Sequence, residues 1–235
     1  MMIKERYSRN AETFSQEEMA LIKEKKVCVI GCGGLGGHVI QSFVRFGIKE
    51  ITIIDGDIFA KNNLNRQVFS SEVTLGSNKA LVVQAALWDI NSEVKVTAYP
   101  EMLTEDNAET ILSGQDIVID CLDNIATRHI IAKYCTNLEI PLVHGAIGGF
   151  YGQVANIFPA DGMMDYIYKK EHEEGGGIEK RLGNPPFMPQ LVAAIQCSEG
   201  LKILSGRSEV LRNELLHIDL LHNNFETIKF AIGEK

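Results

Sequence analysis

Residues 27–57 read "VCVIGCGGLGGHVIQSFVRFGIKEITIIDGD", and this stretch decides the fold. An apolar run, Val27–Ile30, stops at a glycine cluster. A helical pattern follows over Gly34–Phe46, and a second apolar run, Ile51–Ile54, ends on an acid. Gly31, Gly33 and Gly36 stand in G-x-G-x-x-G spacing directly after the first run and at the opening of the helix. In such a unit the first glycine allows the tight turn and the second lets backbone approach a phosphate. The third lets helix and strand pack closely. The phosphate then faces the positive end of the helix. Asp55, nineteen residues beyond Gly36, falls where a carboxylate can hold ribose hydroxyls. An adenine nucleotide is expected; the loop alone does not settle which one.

Outward from this unit the alternation continues. Apolar runs recur at Val94–Ala98, Ile117–Ile119 and Leu142–His144, with helical patterns over Ser77–Ile90, Thr104–Leu112 and Asn124–Asn137. The reading is an α/β, Rossmann-like chain with a mostly parallel central sheet and helices on both faces. After Gly145 the texture changes. "AIGGFYGQVANIF" (146–158) reads as a glycine-rich turn and a strand, and residues 160–187 as a long irregular connection with a charged run. "MPQLVAAIQCSEGLKILSG" (188–206) is a helix stopped by Gly206. The tail "ELLHIDLLHNNFETIKF" (214–230) reads as a two-strand hairpin turning at Asn223–Asn224, so antiparallel strands extend the sheet. The expected organisation is an N-terminal arm and helix (1–25), a nucleotide-binding half (26–145), and a crossover, helix and antiparallel strands (146–235) completing the same domain.

The chain has 235 residues, 45% of them hydrophobic, enough for a sizeable core. Its formal net charge is −8, which disfavours nucleic acid as a partner. No run approaches a membrane span. The opening "MMIKERYSRNAETFSQEEMALIKEKK" is charged and lacks the apolar stretch of a secretory signal. The five cysteines, an odd number mostly in apolar segments, read as reduced thiols of a cytoplasmic protein. There is no C-x2-C pair, so no zinc site is expected.

Past Asp55 comes "NNLNRQVF" (62–69), an insertion for which a redox enzyme has no evident use. Attack at the α-phosphorus of ATP builds negative charge that cations stabilise, and Arg66 offers a planar fork suited to phosphate oxygens. In "LGSNKALVVQAAL" (75–87), Lys79 falls in the first turn of a helix, where a cation is disfavoured unless an anion is bound. In "IVIDCLDNIATRHIIAKYC" (117–135), Asp120 and Asp123 stand at the carboxyl end of a buried strand, where ligands collect in open α/β sheets. Asp123 either holds Mg2+ beside a triphosphate or takes part with Asn124 in capping the next helix.

Together "GCGGLG", "DGD", "NNLNRQ", "GSNKA" and "DCLDN" resemble the HesA/MoeB/ThiF family, from about residue 7 to 230, with five motifs in order. These prokaryotic relatives of ubiquitin-activating enzymes adenylylate the C-terminal glycine of small sulfur-carrier proteins. The resemblance implies that Gly31, Gly33, Gly34 and Gly36 cradle ATP and that Asp55 holds the ribose. Asn62, Asn63, Asn65 and Arg66 would line the phosphates, Lys79 would bind phosphate, and Asp123 with Asn124 would complete the ATP and Mg2+ site. Arg66, Lys79, Asp123 and Arg9 are the implied catalytic set. Arg9, within "RYSRN" (6–10), would reach the ATP site of a second subunit in a homodimer. The implied partner is a ubiquitin-like carrier ending in Gly-Gly, of thiamine or molybdopterin type.

The chain departs from the family pattern in two respects. Many members hold zinc on two C-x2-C pairs and keep a crossover cysteine; here residues 136–196 contain no cysteine, and Cys197 falls in an apolar helix. Carrier activation is therefore expected, with sulfur supplied by another protein. The alternatives are an NAD-dependent oxidoreductase, resting on the glycine fingerprint alone, a tRNA-modifying dehydratase of the same superfamily, and a non-catalytic partner of another activating subunit.

Overall fold

A computed structural model describes residues 3–159, 161–168 and 182–231. Among the described residues eight strands form one sheet in the order β3-β2-β1-β4-β5-β6-β7-β8. Strands β1 (Lys26–Ile30), β2 (Glu50–Ile54), β3 (Lys95–Tyr99), β4 (Ile117–Asp120) and β5 (Leu142–Gly148) run parallel. Strands β6 (Tyr151–Ile157), β7 (Glu214–Asp219) and β8 (Asn224–Lys229) continue antiparallel.

Strand β1 shows why the parallel half lies in the centre. Val27 and Val29 enter one core and Cys28 and Ile30 the other, and all four are buried. A strand apolar on both faces needs helices on both faces. On the first side lie α1 (Gln16–Lys23), α2 (Gly34–Phe46), α3 (Lys79–Ile90) and α7 (Phe187–Ser205). On the second lie α4 (Glu105–Leu112), α5 (Ile125–Asn137) and α6 (Met163–Ile167). The chain order reverses at β1, which has β2 on one side and β4 on the other. That switch point opens a crevice at the carboxyl ends of both strands.

Helix boundaries follow local chemistry. Ser15 and Glu18 form a reciprocal capping box at α1. Helix α3 starts at Lys79, not Ser77, because the Asn78 side chain accepts the Leu81 N–H. Strand β5 runs four residues past His144 because β6 pairs with it up to Gly148. The last hairpin turns over residues 220–223, with Asn224 already paired to Asp219. The Asp219 carboxylate accepts the N–H groups of Leu221 and His222, which widens the loop beyond the expected two-residue turn.

In the long connection, Asp161 accepts the N–H groups of Phe158 and Met163 and sets up α6. The charged, glycine-containing run at 169–181 lies outside the described residues. Cys197 is buried in α7 against the Val39 carbonyl, as core packing requires. Among the described residues no helix is long and apolar enough to cross a membrane.

Candidate active site

The glycine loop links β1 to α2 by backbone contacts that leave no room for side chains. Gly31 has φ +98°, and a Cβ there would stand 2.8 Å from the Cys121 carbonyl oxygen. A Cβ on Gly36 would fall 1.8 Å from the Gly31 oxygen. Gly36 therefore packs helix on loop and lies behind the crevice, while Gly31, Gly33 and Gly34 line it. Helix α2 begins at Gly34, so its unpaired N–H groups and positive dipole end meet the crevice.

Asp55 directly follows β2 and lines the same crevice. Its carboxylate accepts the Cys32 N–H at 2.7 Å and the Asp57 N–H at 2.9 Å. Two of its four lone-pair positions are thereby used. Burial pushes its pKa above the usual carboxylate range, against the opposing pull of those backbone donors and of Lys79.

The polar insertion folds over the glycine loop. An ideal Cβ on Gly34 would lie 3.6 Å from Arg66 Cγ, and one on Gly33 3.4 Å from Gln67 Nε2. Arg66 lines the crevice half-buried, one terminal nitrogen donating to the Asn62 carbonyl and to Asn65 Oδ1, each at 2.9 Å. Burial lowers its pKa and Asp123 opposes that shift.

The asparagines serve the loop itself. Asn63 is buried, and its Oδ1 accepts the Ala60 N–H at 3.0 Å. Asn65 donates to the Asn184 carbonyl at 3.0 Å, which ties the insertion to the segment before α7. Asn62, Asn63 and Asn65 thus hold the insertion and Arg66 in shape, while Arg66 and Gln67 of the same stretch line the crevice.

Lys79, the first residue of α3, is 7% exposed, and its Nζ lies 3.0 Å from Asp57 Oδ2. Asp123 is exposed at the crevice rim, and the helix-capping task falls to Asn124, whose Oδ1 accepts the Thr127 N–H at 2.8 Å. The Asp123 carboxylate is thus not consumed by the cap. Asp120 is fully buried beneath it, 2.7 Å from His144 Nδ1 and 3.3 Å from Arg128 Nε. Burial alone would raise the Asp120 pKa, but Arg128 and His144 hold it below the usual range. Burial also lowers the His144 pKa, so the neutral ring donates its Nδ1 proton to Asp120. Asp120 is structural.

Arg9 lies elsewhere. It sits exposed in a 3-10 turn, Glu5–Asn10, whose Asn10 side chain donates to the Phe46 carbonyl at the far end of α2. Helix α2 alone spans about 20 Å, so Arg9 cannot meet the glycine loop of its own chain.

Sequence reasoning missed several lining residues: Asp57, Gln67, Met102, Arg128 and Asn184. Asp57 and Gln67 stand inside quoted motifs and were legible there. The buried Gln67 Oε1 has no hydrogen-bond partner among the described residues. Among those residues no group of three His, Cys, Asp or Glu side chains could hold a metal ion.

Residues 7–234 match the ThiF family over nearly the whole chain. This chain belongs to the ThiF family. Relatives include the SAMP-activating enzyme E1 of Haloferax volcanii, 32% identical over 96% of this chain and 85% of that protein. The sulfur carrier protein adenylyltransferase of Thermus thermophilus is 35% identical over 88% of this chain and 79% of its own length. The adenylyltransferase and sulfurtransferase MOCS3 of Arabidopsis thaliana is 31% identical, but this chain covers only 49% of it. A crystal structure of E. coli MccB with ATP superposes with a TM-score of 0.83 at 22% identity, over 100% of this chain and 72% of that one. That likeness establishes the ThiF fold. With relatives of this similarity named adenylyltransferases, the chain is an adenylyltransferase of the family.

Proposed function

We propose that this ThiF-family chain uses ATP and Mg2+ to adenylylate the C-terminal glycine of a small ubiquitin-like sulfur-carrier protein. The carrying observation is the convergence of Arg66, Lys79 and Asp123 on one crevice with the glycine loop and Asp55. A hydride-transfer enzyme has no use for two cations there, whereas nucleotidyl transfer does.

In the reaction a carrier carboxylate oxygen attacks the α-phosphorus, a P–O bond forms, and the bond to pyrophosphate breaks. No protein nucleophile is required; positioning and charge neutralisation carry the step. The α2 N-terminus and Arg66 face the phosphates, Lys79 exchanges its Asp57 partner for phosphate oxygen, and Asp55 holds the ribose. Asp123 fits Mg2+, because its carboxylate is exposed and takes no part in the helix cap, and Mg2+ needs only one or two protein carboxylates beside a triphosphate. When bound, the ion supplies neutralisation of phosphate charge.

The acceptor has a route. A second cleft, lined among others by Gly148, Tyr151, Gly152, Gln153 and His217, shares Arg128 and Ile147 with the first. An extended tail ending in Gly-Gly lying in it would reach the nucleotide crevice past those two shared residues. We further propose a cytoplasmic homodimer in which Arg9 serves the partner's crevice. The exposed Leu81, Trp88 and Val73 on α3 and the loop before it offer apolar surface for a second copy to cover. Thiamine-type and molybdopterin-type carriers both satisfy this chemistry.

The test is ATP–pyrophosphate exchange with Gly-Gly carriers. Carrier-dependent exchange that collapses in Arg66→Ala and Asp123→Ala supports the reading. No exchange with any such carrier, together with tight NAD binding, overturns it.

A further inference from the structure

Arg128 of α5 stands in the wall between the two clefts and is only 3% exposed. One terminal nitrogen donates to the Leu122 carbonyl and, at 3.3 Å, to that of Gly145. Leu122 immediately precedes Asp123, and its own N–H donates to Asp120 Oδ1 at 3.0 Å. The turn that presents Asp123 is thus held at its carbonyl side by Arg128 and at its amide side by Asp120.

The other terminal nitrogen of Arg128 donates to the Tyr168 hydroxyl at 2.7 Å. Tyr168 directly follows α6 and ends the described part of the segment that leaves β6. Its ring stands edge-on to His144, with centroids 5.4 Å apart. The guanidinium carbon of Arg128 lies 5.2 Å from the Tyr168 ring centroid, and the Gln153 amide donates to the hydroxyl at 3.1 Å. Burying a cation and a carboxylate costs more than apolar packing of the same volume. What such a network provides is a rigid connection between elements.

We propose that Tyr168 and Arg128 form a latch tying the segment after β6 to the turn that presents Asp123, which makes both of them positioning residues for the reaction in the nucleotide crevice. The latch rests on the adenylyltransfer reading above. ATP bound together with magnesium would hold Asp123 and so restrain the Leu122–Asn124 turn, and the Leu122–Arg128–Tyr168 connection would carry that restraint to α6. By reciprocity, an acceptor tail lying against Tyr168 and Gln153 fixes Asp123 for the attack.

Tyr168→Phe removes the hydroxyl and keeps the ring against His144. Hydrogen exchange of the full chain, with and without ATP and magnesium, reads the coupling directly. In the wild type ATP slows exchange at residues 122–124 and also at 163–168. In Tyr168→Phe the ATP Kd stays within about threefold, and the protection at 163–168 disappears. Carrier-dependent exchange then falls about tenfold in kcat, while KM for ATP holds within about twofold. Arg128→Lys, which keeps the charge but loses the fork, gives the same uncoupling. If that variant does not fold, Tyr168→Phe carries the test by itself. ATP bound to the wild type without protection at 163–168, or equal protection in Tyr168→Phe, overturns the latch and leaves adenylyl transfer standing. No ATP binding by the wild type overturns both.

Discussion

The Asp55 carboxylate accepts the Cys32 backbone N–H at 2.7 Å, so the acid that directly follows β2 also fixes the shape of the glycine loop ending β1. Its second oxygen accepts the Asp57 N–H, and burial raises its pKa. Ribose hydroxyls donating to the remaining lone pairs would favour the ionised form. Asp55→Asn keeps one carbonyl acceptor but puts an N–H donor where the carboxylate accepts, facing groups that themselves donate. Hydrogen bonds to a charged group contribute about 1.5–3 kcal/mol, so ATP affinity should fall roughly 10- to 100-fold by calorimetry. An affinity within threefold of the wild type would remove Asp55 from the nucleotide.

Lys79 and Asp57 make an unequal pair: the lysine side chain is 9% exposed and the aspartate 55%. Asp57→Asn removes the carboxylate that pairs directly with a nearly buried ammonium. Because the acid is more than half exposed, the loss is about 1 kcal/mol, or about 2–4 °C in Tm for a chain of this size. Triphosphate oxygens can replace the missing carboxylate. ATP should therefore raise the Tm of Asp57→Asn more than that of the wild type. Equal shifts in thermal melts would mean that Lys79 does not meet the phosphates.

Local pattern carried the parallel core. Helix α2 spans the same residues, Gly34–Phe46, that its periodicity marks, because glycine start, apolar stripe and glycine stop all lie within the segment. The limits appear where tertiary contacts decide. Asn63 stands in a polar motif but is a buried strut for the Ala60 turn. Arg128 reads as an ordinary helix arginine; its burial depends on Asp120 and on Tyr168, forty residues away. Arg9 cannot be assigned within one chain, since its own crevice lies at the other end of α2.

The N-terminal arm is fastened by an ion pair whose pH dependence can be read. Arg207 donates through Nε to Glu18 at 2.6 Å and through a terminal nitrogen to the Thr13 carbonyl at 2.7 Å. Its hydrogen bond, with that of the Ser15 N–H, lowers the Glu18 pKa from 4.5 to about 2. A depressed acid contributes stability above its unfolded pKa, and that contribution is lost as pH falls from about 4.5 toward about 2. Glu18→Gln should melt lower than the wild type near neutral pH and converge with it across that acid window. A constant Tm difference between the two down to the bottom of the window would assign the stabilisation to packing instead.

Gly36→Ala tests the loop at a glycine that does not itself line the crevice. The added Cβ would fall 1.8 Å from the Gly31 oxygen, and Cys121 crowds it from 3.4 Å. The Gly31 backbone has little room to yield, because even a Cβ added to Gly31 would stand 2.8 Å from the Cys121 carbonyl oxygen. Relief requires α2 to move off β1. Overpacking of this kind costs about 1–3 kcal/mol, more where backbone is struck, so Tm should fall by at least several degrees. ATP affinity should fall with it, since the displaced helix start no longer faces the phosphates. Urea unfolding alongside ATP titration checks both. An alanine variant that keeps wild-type stability and affinity would show that β1 and α2 do not approach this closely.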